Sequence, residues 1–197
     1  MDELWKEHNM RTKYIAVAMM AILALPILSV RADDAENAFD IQTAALIFSP
    51  DSSVTYWLAK PQIGFPDSTM AIDEATLSLW ASAQTIDTIT YVSIKVYPIL
   101  IDWNPENVSW TFPWTTPGGD LDDSHYAERS FAEPGTQAVE FDLTDLCARW
   151  ADGRLPYHGF LIGLSESSLV PVQFLNGPNG DGPFATLRIH YTTADLE

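Results

Sequence analysis

The chain has 197 residues, of which 27 are acidic and 10 are basic, and its formal net charge at pH 7 is −17. This charge argues against nucleic acid and anionic membrane surfaces as partners, because both are bound through basic patches. It is compatible with calcium and with neutral or cationic glycans, although acidic surfaces more commonly serve solubility alone. A single cysteine, Cys147, excludes an intrachain disulfide, and its Leu-Cys-Ala-Arg-Trp surroundings indicate packing rather than nucleophilic chemistry.

The N-terminal segment has the pattern of a secretory signal peptide. Residues 14–28 are uncharged and mostly apolar, basic residues precede them, and Val30-Arg31-Ala32 offers small residues at both positions that a signal peptidase reads. The apolar run is shorter than the roughly 20 residues of a membrane-spanning helix. We therefore expect residues 1–32 to be removed and residues 33–197 to be secreted as one domain, with no membrane insertion.

After this segment, apolar residues recur at every second position, as is typical of half-buried strands. Clusters of proline, glycine, asparagine and aspartate separate the strands. One helix is predicted over residues 144–152, with Thr144 as its N-cap and Gly153 at its end. Strands are predicted at residues 74–83, 88–100, 138–143, 160–164 and 187–191, with weaker patterns at 39–48, 55–59 and 172–175. The sequence therefore predicts an all-β chain folded as an antiparallel β-sandwich with one short helix.

The segment richest in tryptophan and proline, residues 102–119, predicts a long loop, because its proline and glycine residues cannot continue a helix or a strand. We expect Trp103 and Trp110 in the core, since a sandwich of this size needs buried aromatic surface. Trp114 lies between Pro113 and further turn residues, which leaves a buried and an exposed ring both open, and the binding site predicted below takes the exposed alternative.

An exposed Trp114 would offer a flat face on which a sugar ring could stack. His125, Tyr126 and Arg129 follow closely enough to add polar contacts from the same loop. These four residues form the predicted carbohydrate-binding site. His125, Tyr126 and Arg129 are also the one local grouping that could serve a polysaccharide lyase, although polar loop residues more often form a solvated surface.

Two further motifs have competing interpretations. Asp120, Asp122 and Asp123 offer the hard oxygen ligands that Ca²⁺ prefers, but without the spacing of a known calcium loop, so a solvated acidic turn is the alternative. The triplet Asn107-Val108-Ser109 fits the N-glycosylation sequon. Because it is expected in a strand beside two tryptophans, we interpret it as structural.

Several blocks of residues follow one another in a recognisable order. They are residues 75–79, then Trp103 with Val108-Ser109-Trp110 and Pro113, then Phe141-Asp142-Leu143-Thr144 with Trp150, Gly153 and Gly159-Phe160. These blocks resemble those of the DNRLRE domains, which include disaggregatase-related repeats and a family of alginate-binding carbohydrate-binding modules. The resemblance covers roughly residues 56–192 and implies a β-jelly-roll that is secreted, surface-attached or appended to polysaccharide-degrading enzymes.

The sequence therefore predicts a secreted jelly-roll module that binds a polysaccharide or a cell-surface glycan without catalysis. A structural or adhesive extracellular module that binds proteins is the alternative from another class. A polysaccharide lyase or hydrolase comes third, because a hydrolase needs two carboxylates that face each other across a cleft and the sequence does not show such a pair.

Overall fold

A computed structural model describes residues 32–41, 45–50, 54–61, 63, 70–84, 91–165, 168–179 and 181–194. The predicted signal peptide, apart from Ala32, lies outside these residues, as do positions 42–44 and 88–90 of two predicted strands. The strands are β1 (Ala32–Ile41), β2 (Ala45–Phe48), β3 (Thr55–Ala59), β4 (Met70–Ala83), β5 (Val92–Pro98), β6 (Ala127–Phe131), β7 (Gly135–Asp142), β8 (Phe160–Leu164), β9 (Val172–Leu175) and β10 (Ala185–Ala194). Helix α1 (Thr144–Ala151) follows β7.

The strands form two antiparallel sheets, which confirms the predicted β-sandwich. One sheet has the order β1-β10-β4-β7, and β9 also pairs with β4; we call it the β4 sheet. The other has the order β2-β3-β8-β5-β6, and we call it the β8 sheet. Strand β4 is long enough for β10 and β9 to pair in succession along one side, with β7 on the other.

The main core lies between the two sheets and follows from the alternation along each strand. On β4, Ala75, Leu77, Leu79 and Ala81 are buried, whereas Trp80 points to the other side and is half-buried, as its position in the pattern predicts. Strands of the β8 sheet and the apolar side of α1 complete this core. Burial of this apolar surface supplies most of the free energy that holds the two sheets together.

A second hydrophobic cluster covers the outer face of the β8 sheet. It is built by residues 100–121, which we call the cover loop, and a bridge between Ile99 and Leu121 closes the base of this loop. Trp103 and Trp114 from the cover loop pack with Leu58 and Leu161 of the sheet. The strands at the centre of the β8 sheet are therefore buried on both faces.

The start of α1 differs from the sequence prediction. Thr144 is the first helical residue and not the N-cap; Leu143 occupies the cap position, without a side-chain cap. The Thr144 hydroxyl instead donates to Asp142 Oδ1 (2.6 Å) and accepts from the backbone N–H of Ala75 (3.0 Å). Thr144 thereby ties the helix to β4, a long-range bond that a local capping pattern cannot show.

Candidate binding groove between β6 and β7

Strands β6 and β7 lie at neighbouring margins of the two sheets, and depressions open between them. Within the described residues, β6 pairs with β5 and β7 pairs with β4. One depression, of about 420 Å³, is lined by residues 129–131 and 137–140. The next, of about 190 Å³, is lined by residues 124–127, Asp142, Leu143, Asp145 and Leu146. Together they follow β6 and β7 in succession, and we call them the β6–β7 groove.

Two polar side chains enter the larger depression from opposite strands. Arg129 lies on the same side of β6 as Ala127 and Phe131, which pack against the main core. Gln137 shares its side of β7 with the buried Val139, and its Nε2 donates to the carbonyl oxygen of Glu133 (3.1 Å). A charged and an amide side chain therefore line the same depression as the apolar side chains of Phe131 and Val139.

His125 lies in the smaller depression and is held by Asp122. The Asp122 Oδ2 is 2.7 Å from His125 Nδ1, and Asp122 Oδ1 accepts from the backbone N–H of Ser124 (2.8 Å). Burial acts to raise the pKa of Asp122, but these two hydrogen bonds outweigh it and the pKa is lowered. Because an ionised carboxylate only accepts, His125 Nδ1 carries the proton in this bond.

Tyr126 lines the smaller depression and also belongs to the outer face of the β8 sheet. Tyr126 is 41% exposed, and its ring centroid lies 5.3 Å from that of Tyr97 and 4.4 Å from Lys95 Nζ. Burial acts to lower the pKa of Lys95, but its hydrogen bond with Tyr97 and the charge of Glu128 raise it overall. The cation therefore persists beneath the ring, a contact of about 0.5–1 kcal/mol that orients Tyr126.

The charge of the groove differs between its two ends. At the α1 end, hydrogen bonds from Thr144 lower the pKa of Asp142, and a hydrogen bond from Arg149 lowers the pKa of Asp145. Both carboxylates are therefore ionised at neutral pH. The other end carries the guanidinium of Arg129 beside Glu140. Because Asp145 is paired with Arg149 (2.7 Å), the negative charge that makes the α1 end repulsive toward polyanions comes from Asp142.

The structure corrects the prediction for Trp114. Its ring is 7% exposed, packs in the second cluster, and donates from Nε1 to the carbonyl oxygen of Ser109 (2.8 Å). The cover loop folds back onto a sheet, so its proline and glycine residues position tryptophans for burial. Trp103 is buried as predicted, and Trp110 is half-buried and stacked on Tyr56 at 5.4 Å.

The predicted calcium ligands do not form a site in the structure. Asp120 accepts from the backbone N–H of Thr115 (2.7 Å) and of Thr116 (3.2 Å), and Asp122 binds His125. Each carboxylate thus stabilises its own turn. Asp120, Asp122 and Asp123 are not brought together, and no group of three acidic, histidine or cysteine side chains among the described residues could hold a metal ion.

Cys147 is fully buried in the main core, and burial raises the pKa of its thiol to about 12. A thiol in this state is not a nucleophile near neutral pH. The predicted grouping of His125, Tyr126 and Arg129 is only partly assembled, because Tyr126 contacts the outer face of the β8 sheet whereas Arg129 lies on its inner side. His125 and Tyr126 do line the same depression.

Sequence reasoning missed strand β6, and it did not identify Phe131 of β6, Gln137 of β7 or Lys95 of β5 as neighbours of the candidate site. Strand β6 reads Ala-Glu-Arg-Ser-Phe, in which the two apolar residues stand at the ends and three polar residues lie between them. Ala127 and Phe131 do fall on one side of a strand, but Arg129 occupies the position between them on that side, so the period-two signal is weak. The opposition of Arg129 and Gln137 depends on how the two sheets pack, which one sequence does not encode locally.

No protein-family model matches the chain, and no curated protein is significantly similar to it. The resemblance to DNRLRE domains therefore stays a prediction. No helix in the described part of the chain is long and apolar enough to cross a membrane.

Proposed function

We propose that this protein is a secreted, non-catalytic module that binds a polysaccharide along the β6–β7 groove. The observation that carries the proposal is that two depressions follow β6 and β7 in succession and that the exposed Tyr126 lines the smaller one. A glycan chain presents alternating apolar ring faces and hydroxyl groups. Tyr126 supplies a stacking surface for the faces, and Arg129 and Gln137 supply hydrogen-bond donors for the hydroxyl groups.

The charges favour a neutral polysaccharide over a uronic acid polymer. The net charge of the chain is −17, and the ionised Asp142 and Asp145 line one end of the groove. A polyanion would have to approach against this potential, with Arg129 as the guanidinium among the lining residues. The resemblance to alginate-binding modules thus supports the mode of binding more than the chemical class of glycan.

The experiment is affinity electrophoresis of the full chain through gels that contain a neutral β-glucan, a neutral mannan or alginate. We expect retardation by a neutral polymer and less by alginate. If the ring is a stacking hot spot, Tyr126→Ala should weaken the binding free energy by about 2 kcal/mol, which raises Kd roughly thirtyfold. Arg129→Ala should weaken it in the same gel.

Matched controls separate the groove from the rest of the surface. Phe112→Ala removes a ring that is 54% exposed on the cover loop, and Arg188→Ala removes an exposed arginine of β10. Both variants should be retained like the parent protein. Equal retention of Tyr126→Ala, Arg129→Ala and the parent protein would contradict the groove as the binding site.

One observation favours the alternative of a protein-binding extracellular module. At the β2 margin of the β8 sheet, Leu46 and Phe48 are 45% and 52% exposed and lie on one side of the strand. Exposed apolar side chains at a sheet margin are typical of strand-to-strand association. If Leu46→Ser with Phe48→Ser abolishes cell-surface attachment while the Tyr126→Ala variant still attaches, this alternative replaces the glycan proposal.

A further inference from the structure

The cover loop carries the one sequon of the chain, and the structure changes its interpretation. Asn107-Val108-Ser109 is expected in a strand from the sequence pattern, but Asn107 lies in a turn over residues 105–107 and is exposed. An exposed turn is the usual setting of a glycosylated asparagine, because the attached glycan is bulky and needs solvent. The prediction that this triplet is only structural is therefore wrong in its premise.

The turn is held by hydrogen bonds that do not involve the carboxamide of Asn107. The carbonyl oxygen of Asn104 accepts from the backbone N–H of Asn107 (3.2 Å) and of Val108 (3.0 Å). The Asn104 side chain accepts from the N–H of Glu106 through Oδ1 (2.9 Å). One of these bonds uses the backbone N–H of Asn107 and none uses its carboxamide, so a substituent on the carboxamide nitrogen leaves them intact.

The asparagine and the serine that define the glycosylation sequon are both exposed to solvent. Val108 is half-buried and packs against the second cluster, whereas Asn107 and Ser109 on either side of it are exposed. The Ser109 hydroxyl accepts from the backbone N–H of Phe112 (3.2 Å), and its carbonyl oxygen accepts from Trp114. Val108 thus anchors the segment while the modifiable side chain faces solvent.

We propose that Asn107 is the acceptor of an N-linked glycan, which depends on the export proposed above. The donor is an oligosaccharide joined to a lipid through pyrophosphate. The Asn107 amide nitrogen forms a bond to the anomeric carbon, the bond between that carbon and the pyrophosphate oxygen breaks, and the lipid pyrophosphate leaves. The amide nitrogen loses one proton, and nothing is oxidised or reduced.

The test is the intact mass of the full chain purified from the medium of a host that has an oligosaccharyltransferase. We expect a mass increment that peptide N-glycosidase removes, that Asn107→Gln and Ser109→Ala abolish, and that Ser109→Thr retains. Asn179→Gln, which changes an exposed asparagine outside any sequon, should keep the increment. Thermal unfolding of Asn107→Gln should match that of the parent protein, because the turn bonds do not use its carboxamide.

Secreted and folded parent protein without the increment would overturn the proposal, as would an increment that persists in Asn107→Gln. Retention of the same preparations on polysaccharide gels is a separate measurement. Normal retention without glycosylation overturns the Asn107 site alone, whereas glycosylation without retention overturns only the groove.

Discussion

At the residue scale, Trp114 shows how burial reverses a functional expectation. Turn residues on both sides of a tryptophan predict a loop, and the loop is present; what they do not reveal is that the loop folds back onto the β8 sheet. The indole nitrogen finds a partner in the Ser109 carbonyl, which removes the cost of burying it. The ring therefore contributes to stability and is not available for stacking on a ligand.

We expect Trp114→Ala to lower the free energy of unfolding by about 3–5 kcal/mol, because the ring is buried and its removal leaves a cavity. Equilibrium denaturation in urea measures this change. Phe112→Ala, two residues earlier on an exposed ring, should change the same quantity by about 0.5 kcal/mol or less. A loss below about 1 kcal/mol for Trp114→Ala would mean that the ring is exposed in solution.

Cys147 gives a second prediction at this scale. Its folded pKa of about 12 lies above the ordinary value of 9.0, so the neutral thiol is the form that the fold stabilises. That stability is present below pH 9.0 and is lost as the pH rises through about 12. In the native protein the thiol should therefore resist alkylation by iodoacetamide at mildly alkaline pH.

Alkylation of Cys147 should become fast once denaturant unfolds the chain, and the rate can be followed by mass because the chain has a single cysteine. Rapid modification of the native protein would show that the thiolate is accessible. It would also reopen a nucleophilic role for this residue.

At the element scale, the turn before β8 depends on close approach of two backbones. Gly159 has a φ of +84°, and a Cβ at this position would lie 2.2 Å from the carbonyl oxygen of Ala59 at the end of β3. Gly153, just after α1, has a φ of +74°, but a Cβ added there would meet no atom within 4 Å. The two glycines share a backbone conformation and differ in their surroundings.

Gly153→Ala should therefore cost only the left-handed backbone strain, about 1 kcal/mol. Gly159→Ala should cost clearly more, because the β3 backbone must also move. The difference between the two variants in urea denaturation isolates the packing contribution. Equal losses would show that β3 and the turn before β8 are not in close contact.

Local pattern predicts these elements to different extents. Strands β3, β8 and β9 have the predicted bounds, because turn residues flank these short segments even where the alternation itself is weak. Strand β6 was missed because three of its five residues are exposed. The groove itself combines Arg129 and Gln137 from different sheets, so it depends on the packing of the sandwich. Of the four residues predicted for the binding site, His125, Tyr126 and Arg129 line the groove. Trp114, whose ring was expected to be exposed in that site, is buried against the β8 sheet.

At the scale of the whole molecule, acidity should destabilise the fold through several carboxylates. Hydrogen bonds to their side chains outweigh any opposing burial and lower the pKa of six aspartates below the ordinary value of 3.8: Asp102, Asp120, Asp122, Asp142, Asp145 and Asp152. A lowered folded pKa contributes stability that is present above 3.8 and is lost as the pH falls through the folded values. The melting temperature should therefore decline as the pH drops below 3.8.

Asp142→Asn tests this at one site. An amide cannot titrate, so the variant should be less stable at neutral pH and should lose less stability on acidification than the parent protein. Calorimetry across the acid range measures both slopes. Parallel slopes for the two proteins would show that Asp142 does not contribute to the acid sensitivity.

The two hydrophobic clusters have a consequence for the motions of the β8 sheet. Phe160 and Ile162 face the main core while Leu161 faces the second cluster, so β8 is covered from both sides and flanked by β3 and β5. Its amide protons can meet deuterium only when the sandwich and the cover loop open together. Their hydrogen exchange should therefore report the global unfolding free energy. The amides of β6 should exchange through local opening instead. The strand that lines the groove can thus adjust to a ligand while β8 keeps the sheet intact.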